Sequence, residues 1–167
     1  MNYVLPPLEE PKREYMLKAI EQARISAQEG EVPVGAVMEK DGEIISVGRN
    51  RRELDKNARS HAELEAIGSA CQVLGGWRLW QCELYVTLEP CPMCAGAIIN
   101  SRLRRVIYGA SDKKAGSCGS VVNLFDLPYN HRPELVSGFM EEECGSLLTE
   151  FFREMRNSRK QRKDGKA

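Results

Sequence analysis

No apolar run in the 167 residues approaches the roughly 20 that a membrane-spanning helix needs, so no such span is expected. Met1 to Glu14 lacks the basic-then-apolar order of a secretory leader. The six cysteines form no regular framework, and two of them sit at a metal-type C-x-x-C spacing. This argues against a disulfide scaffold and for a reducing compartment, with the cytoplasm as the expected location. Histidine is scarce: His61 and His131 are the only two. There is no internal repeat and no interdomain linker, so the chain reads as one domain large enough for a sizeable core. That domain is expected over residues 1–156, followed by a basic tail over 157–167.

Net charge is also absent, with 24 basic residues against 24 acidic, but the balance is uneven. Arg153 to Ala167 holds seven Lys/Arg and two Asp/Glu, which leaves 17 basic and 22 acidic in the rest. A tail of that sign can meet phosphates, and it can equally be a solvated terminus.

What is present is a pair of short runs. Ser60-His61-Ala62-Glu63-Leu64-Glu65 is followed, about thirty residues on, by Glu89-Pro90-Cys91-Pro92-Met93-Cys94. One imidazole and two thiols suit zinc and leave a fourth tetrahedral position open, the pattern of a catalytic site. Water in that position has its pKa lowered to roughly 7. Glu63, two residues after His61, lies about 200° round a helix and need not bind the same metal, so it can carry protons beside it. Taken alone, the C-x-x-C also fits a redox pair or half of a structural site. Cys71, Cys82, Cys118 and Cys144 are isolated and read as small core residues.

Both runs read as helix starts. Ser60 suits an N-cap, and Pro90 and Pro92 suit a first turn. Around them the pattern predicts a helix over Lys12–Glu29 stopped by Gly30, and a hairpin of Val34–Met38 and Ile44–Val47 turned at Asp41-Gly42. The His61 helix should end at Gly75-Gly76. Strands follow over Leu84–Leu88, Arg105–Tyr108 and Leu135–Phe139, with a long loop from Gly109 to Gly119 and a last helix from Glu141 to about Arg156. This order implies a mixed sheet with helices on both faces.

His61-Ala62-Glu63 with Pro90-Cys91-Pro92-Met93-Cys94 resembles the H-x-E…P-C-x-x-C signature of zinc-dependent nucleobase deaminases. The resemblance extends over nearly the whole chain. Glu31-Val32-Pro33-Val34-Gly35-Ala36-Val37, Asn50, Thr87 to Ala97, Asp112 to Gly116 and Asn130-His131-Arg132 look like tRNA adenosine deaminases, which convert the wobble adenosine of an anticodon loop to inosine. The resemblance implies a three-layer α/β/α cytidine-deaminase-like fold around a five-stranded mixed sheet, one zinc per subunit, a tRNA anticodon stem-loop as partner, and a homodimer.

By residue, it implies zinc on His61, Cys91 and Cys94. Glu63 would pass protons from water to N1 of adenine and then to the departing amine. Asn50 would hydrogen-bond the flipped base and Asp112 would approach the ribose 2′-OH, while Val32 and Pro33 would wall the pocket. Asn130, His131, Lys114 and Phe152 would lie near RNA, with Arg51, Arg52, Lys113 and Arg153 as further phosphate candidates. Each has a plainer role open to it: Asn50 and Asp112 in turns, Val32 and Pro33 in the core, His131 as a structural hydrogen-bonder. Ser111 departs from the larger or basic residue found there in some members. Two other readings remain open: a zinc deaminase of free guanine or a cytosine compound, and a non-catalytic zinc-containing RNA-binding subunit.

Overall fold

The structure, a computed structural model, describes residues 4–165, so the last two residues of the basic tail lie outside the described residues. The chain runs α1 (Arg13–Gln28), β1 (Gly35–Lys40), β2 (Glu43–Arg49), α2 (Arg52–Asp55), α3 (Ala62–Leu74), β3 (Cys82–Leu88), α4 (Pro92–Asn100), β4 (Arg105–Ala110), a 3-10 turn (Leu124–Asp126), β5 (Glu134–Val136) and α5 (Glu141–Asp164). The five strands form one sheet in the order β2-β1-β3-β4-β5. β1 pairs antiparallel with β2 and β3, while β3-β4 and β4-β5 are parallel. This is the mixed three-layer sheet that the sequence predicts.

Strand alternation builds two cores. Ala36, Met38, Leu84, Val86, Val106 and Tyr108 point to one face and pack against α3 and α4 through Ala62, Ala66, Ile67, Ala95 and Ile98. Val37, Tyr85 and Ile107 point to the other, where Tyr15, Met16, Ala19 and Ile20 of α1 and Cys144 of α5 cover them. The β1-β2 hairpin turns on Asp41 and Gly42, both left-handed at φ 54° and 85°, the two-residue turn that matches strand twist. After α1, Glu31 N donates to Ser26 O at 2.9 Å and Gly30 N to Ala27 O at 3.0 Å, closing the helix end as Gly30 predicts.

Gly48 matters for the site. A Cβ there would stand 2.0 Å from the carbonyl oxygen of Ala62, so only a residue without a side chain lets α3 start this close to β2.

Beyond shifts of one or two residues at helix and strand ends, four features differ from the sequence reading. The N-cap of α3 is His61, not Ser60, because the Ser60 hydroxyl donates instead to Asp55 Oδ2 at 2.9 Å. The polar stretch before it contains the unexpected single turn α2, closed by Lys56 at φ 49°. β5 stops at Val136, since Gly138 turns to φ 73° before Phe139 can join a ladder. α5 overruns Arg156 and continues to Asp164, because Asn157 to Asp164 contains neither Gly nor Pro and is rich in Arg, Lys and Gln.

Candidate active site

Two helix starts converge at one end of the sheet. His61 caps α3, seated on β2 by Gly48, and Cys91 caps α4 immediately after β3. Cys94 follows in the first turn of α4 and is fully buried. His61 Nδ1 lies 3.6 Å from Cys91 Sγ and 3.6 Å from Cys94 Sγ. Zinc bonds of about 2.3 Å to sulfur and 2.0–2.1 Å to nitrogen at tetrahedral angles demand an N···S separation of about 3.5–3.6 Å. Both nitrogen–sulfur separations therefore already stand at the spacing the ion requires. Their ligand atoms all lie within 4.8 Å of one another, and among the described residues no further His, Cys, Asp or Glu joins them.

The electrostatics agree. Hydrogen bonds from the Cys94 thiol and from His61 lower the Cys91 thiol to about 4, with the free N–H groups of α4 beside it. The shared hydrogen bond with Cys91, then burial, push Cys94 up. The hydrogen bond to Cys91 also raises His61. The two sulfurs and the imidazole hold each other in place through shared hydrogen bonds, and a bound dication would replace their shared protons.

Glu63 sits one helical position beyond Ala62 and is only 4% exposed. Burial, followed by the negative Cys91, raises its carboxyl to about 7. A cavity of about 210 Å³ opens here. Val32, Val34, Leu88 and Ala115 give it apolar lining, and Asn50, Arg52, Glu63, Glu89 and Asp112 line it alongside His61 and Cys91.

Asn50 is buried, its Nδ2 donating to Val32 O at 3.0 Å and its Oδ1 accepting from Arg52 N at 3.3 Å. One amide N–H and one oxygen lone pair remain unused. Asp112 Oδ1 accepts from Lys114 N at 2.9 Å and Ala115 N at 3.2 Å, a local turn that leaves Oδ2 uncommitted.

Other predicted residues lie elsewhere. Val32 lines the cavity, but Pro33 does not; Val34 does instead, because alternate residues of an extended segment share a side. His131 is also outside it, its Nε2 meeting the Leu103 carbonyl oxygen at 2.6 Å. Asn130 and Lys114 are exposed and not part of the lining. Phe152 is 39% exposed and meets the half-buried Phe151 edge-on at 5.5 Å.

Glu89 was missed, although it stands inside the quoted motif. Its carboxylate is buried and accepts from the backbone N–H groups of Asp112, Cys118 and Ser120, each at 3.0 Å, and from the Ser120 hydroxyl. Burial pushes this carboxyl up, but the donated hydrogen bonds outweigh burial and hold it below the ordinary range. Gly116 packs so close that a Cβ would meet Glu89 Oε2 at 2.3 Å. Glu89 therefore ties down the loop that presents Asp112. A Glu before Pro-Cys carried no sequence signal for this, since the donors lie some twenty to thirty residues away. Glu89→Ala strands several buried donors at about 1–3 kcal/mol each. The expected result is faster proteolysis within residues 111–120 and a KM raised about tenfold or more, with metal content retained.

Residues 10–156 match the model of the MafB19-like deaminase family. Over 147 residues the chain is 50% identical to a tRNA-specific adenosine deaminase of Bacillus subtilis, covering 87% of this chain and 91% of the relative. The chain belongs to the tRNA-specific adenosine deaminase family. A solved structure from work on A-to-I editing by tRNA:A34 deaminases superposes on this deaminase with a TM-score of 0.80 at 42% identity, over 82% of this chain and all of the other. Guanine deaminase from Bacillus subtilis matches less well, with a TM-score of 0.59 at 34% identity over 88% of this chain and 95% of the other. The fold is shared across these deaminases, so the substrate must be argued from the site.

Proposed function

We propose that this enzyme hydrolyses the 6-amino group of the wobble adenosine in a tRNA anticodon loop, giving inosine and ammonia. The observation that carries this is the His61-Cys91-Cys94 group at zinc spacing with the buried, uncoordinated Glu63 beside it, in a chain of this family.

His61, Cys91 and Cys94 would hold zinc, one per subunit. When bound, the ion supplies a water whose pKa falls to about 7. Glu63 takes a proton from the attacking water and places it on N1 of adenine as oxygen adds to C6. It then takes the second proton from the new C6 hydroxyl and hands it to the exocyclic nitrogen, so that C6=O forms as the C6–N bond breaks and ammonia leaves. The unused N–H and lone pair of Asn50 pair with the edge of the flipped base, against Val32 and Val34. The free Oδ2 of Asp112 accepts from the ribose 2′-OH, which selects RNA. Lys114, Asn130 and the exposed face of Phe152 meet RNA outside the cavity. His131 and Pro33 shape the segments that carry their neighbours.

The protein acts as a homodimer, as the family resemblance implies, and in the cytoplasm, as its isolated cysteines and metal-type C-x-x-C argue. Among the described residues no helix is long and apolar enough to cross a membrane. The test is incubation with an anticodon stem-loop bearing a wobble adenosine, followed by nucleoside analysis for inosine. Conversion there, with free guanine and cytosine compounds inert, is the expected result. Rapid turnover of a free base beside an untouched stem-loop overturns it.

A further inference from the structure

The family match ends at Arg156, whereas α5 continues through Asp164, two further turns. Phe139 N donates to Tyr108 O at 3.0 Å, Cys144 lies against Gly109, and Gly145 faces Ala110. The chain therefore advances along β4 toward the strand end where the cavity opens. From Gly145 to Asp164 is about 28 Å at 1.5 Å per residue. From Arg153 to Gly165 every residue except Met155 is exposed.

The charge on this helix is ordered. At about 100° per residue, Arg153, Arg156, Arg159, Lys160 and Lys163 fall within an arc of about 120°, with Phe152 inside it and Glu150 and Glu154 outside. Among the described residues, no side chain of Arg153, Arg156, Arg159, Lys160, Arg162 or Lys163 has an ion-pair or hydrogen-bond partner in the chain. Nothing in the fold neutralises this stripe.

We propose that α5 beyond Arg156 is an arm that lies along the RNA phosphate backbone outside the anticodon loop, with Arg159, Lys160 and Lys163 making the contacts. The proposal rests on the RNA substrate argued above. Long cationic side chains with no fixed partners suit phosphates, which position an RNA without reading its bases. A lipid surface is the poorer fit, because a helix that lies in a membrane interface needs a broad apolar face. Asn157 to Asp164 contains no apolar residue.

The test is the full chain carrying R159Q, K160Q and K163Q, assayed on whole tRNA and on a stem-loop trimmed to a few base pairs. On whole tRNA near physiological salt, Kd and KM are expected to rise about tenfold with kcat unchanged. The slope of log affinity against log salt should become shallower by about 2–3, at roughly 0.7–0.9 per lost contact. On the trimmed stem-loop KM should stay within about twofold, and R159K with K163R should behave as the unsubstituted chain. Unchanged tRNA affinity and salt slope overturn the arm, as does an equal loss on both RNAs. Loss of binding to phosphatidylserine vesicles with tRNA binding intact also overturns it. Failure of the unsubstituted chain to form inosine on any RNA is a different result, directed at the substrate itself.

Discussion

Glu63→Gln is expected to lower turnover by about 10²- to 10⁴-fold while leaving zinc content and fold intact. The amide fills the same space but cannot accept a proton, so water activation and protonation of the leaving nitrogen both fail. Glu63 stands outside the group of three ligand atoms, which is why metal should remain. Its burial at 4% exposure makes glutamine the right replacement, since alanine would also open a void. The measurements are single-turnover deamination of a wobble-adenosine stem-loop and zinc per subunit by elemental analysis. Full turnover with glutamine would remove Glu63 from the chemistry.

Cys91→Ala is expected to abolish both metal and activity. It deletes the thiol that its neighbours lower to about 4, the donor most ready to bind as thiolate at neutral pH. Two donors remain, fewer than the three protein ligands of a catalytic zinc site. Zinc per subunit should fall from about one toward zero, inosine formation should become undetectable, and the melting temperature should no longer respond to a chelator. Stoichiometric zinc in this variant would contradict the ligand assignment. The two substitutions separate what the site does: one loses proton transfer with metal in place, the other loses the metal.

The cluster of His61, Cys91 and Cys94 with the buried Glu63 was legible in the sequence because each pair is local: H-x-E and C-x-x-C are spacings within one helical turn. Asn50 and Asp112 were found through family resemblance and do line the cavity. Their residue types alone fit ordinary turns, and part of each side chain is used that way. Val34 was read as strand and Pro33 as wall, an exchange of one residue that depends on where the extended segment begins its alternation. His131 was read either as an RNA neighbour or as a structural hydrogen-bonder, and its Nε2 meets the Leu103 carbonyl, a partner 28 residues away that no local pattern announces. Glu89 was invisible for the same reason. The length of α5 was misjudged because a change to basic composition was read as the end of a helix, although Arg, Lys and Gln extend one readily.

The seat of α3 on Gly48 has a consequence for how the enzyme responds to heat. Main chain rests on main chain there, so at that point no side-chain rotamer sets the distance between α3 and β2. Side-chain hopping that loosens the hydrophobic layers on warming acts on the start of α3 less than on its later turns. The spacing of His61 from its two sulfurs should thus hold nearly constant up to the melting transition and then vanish with it, instead of drifting beforehand.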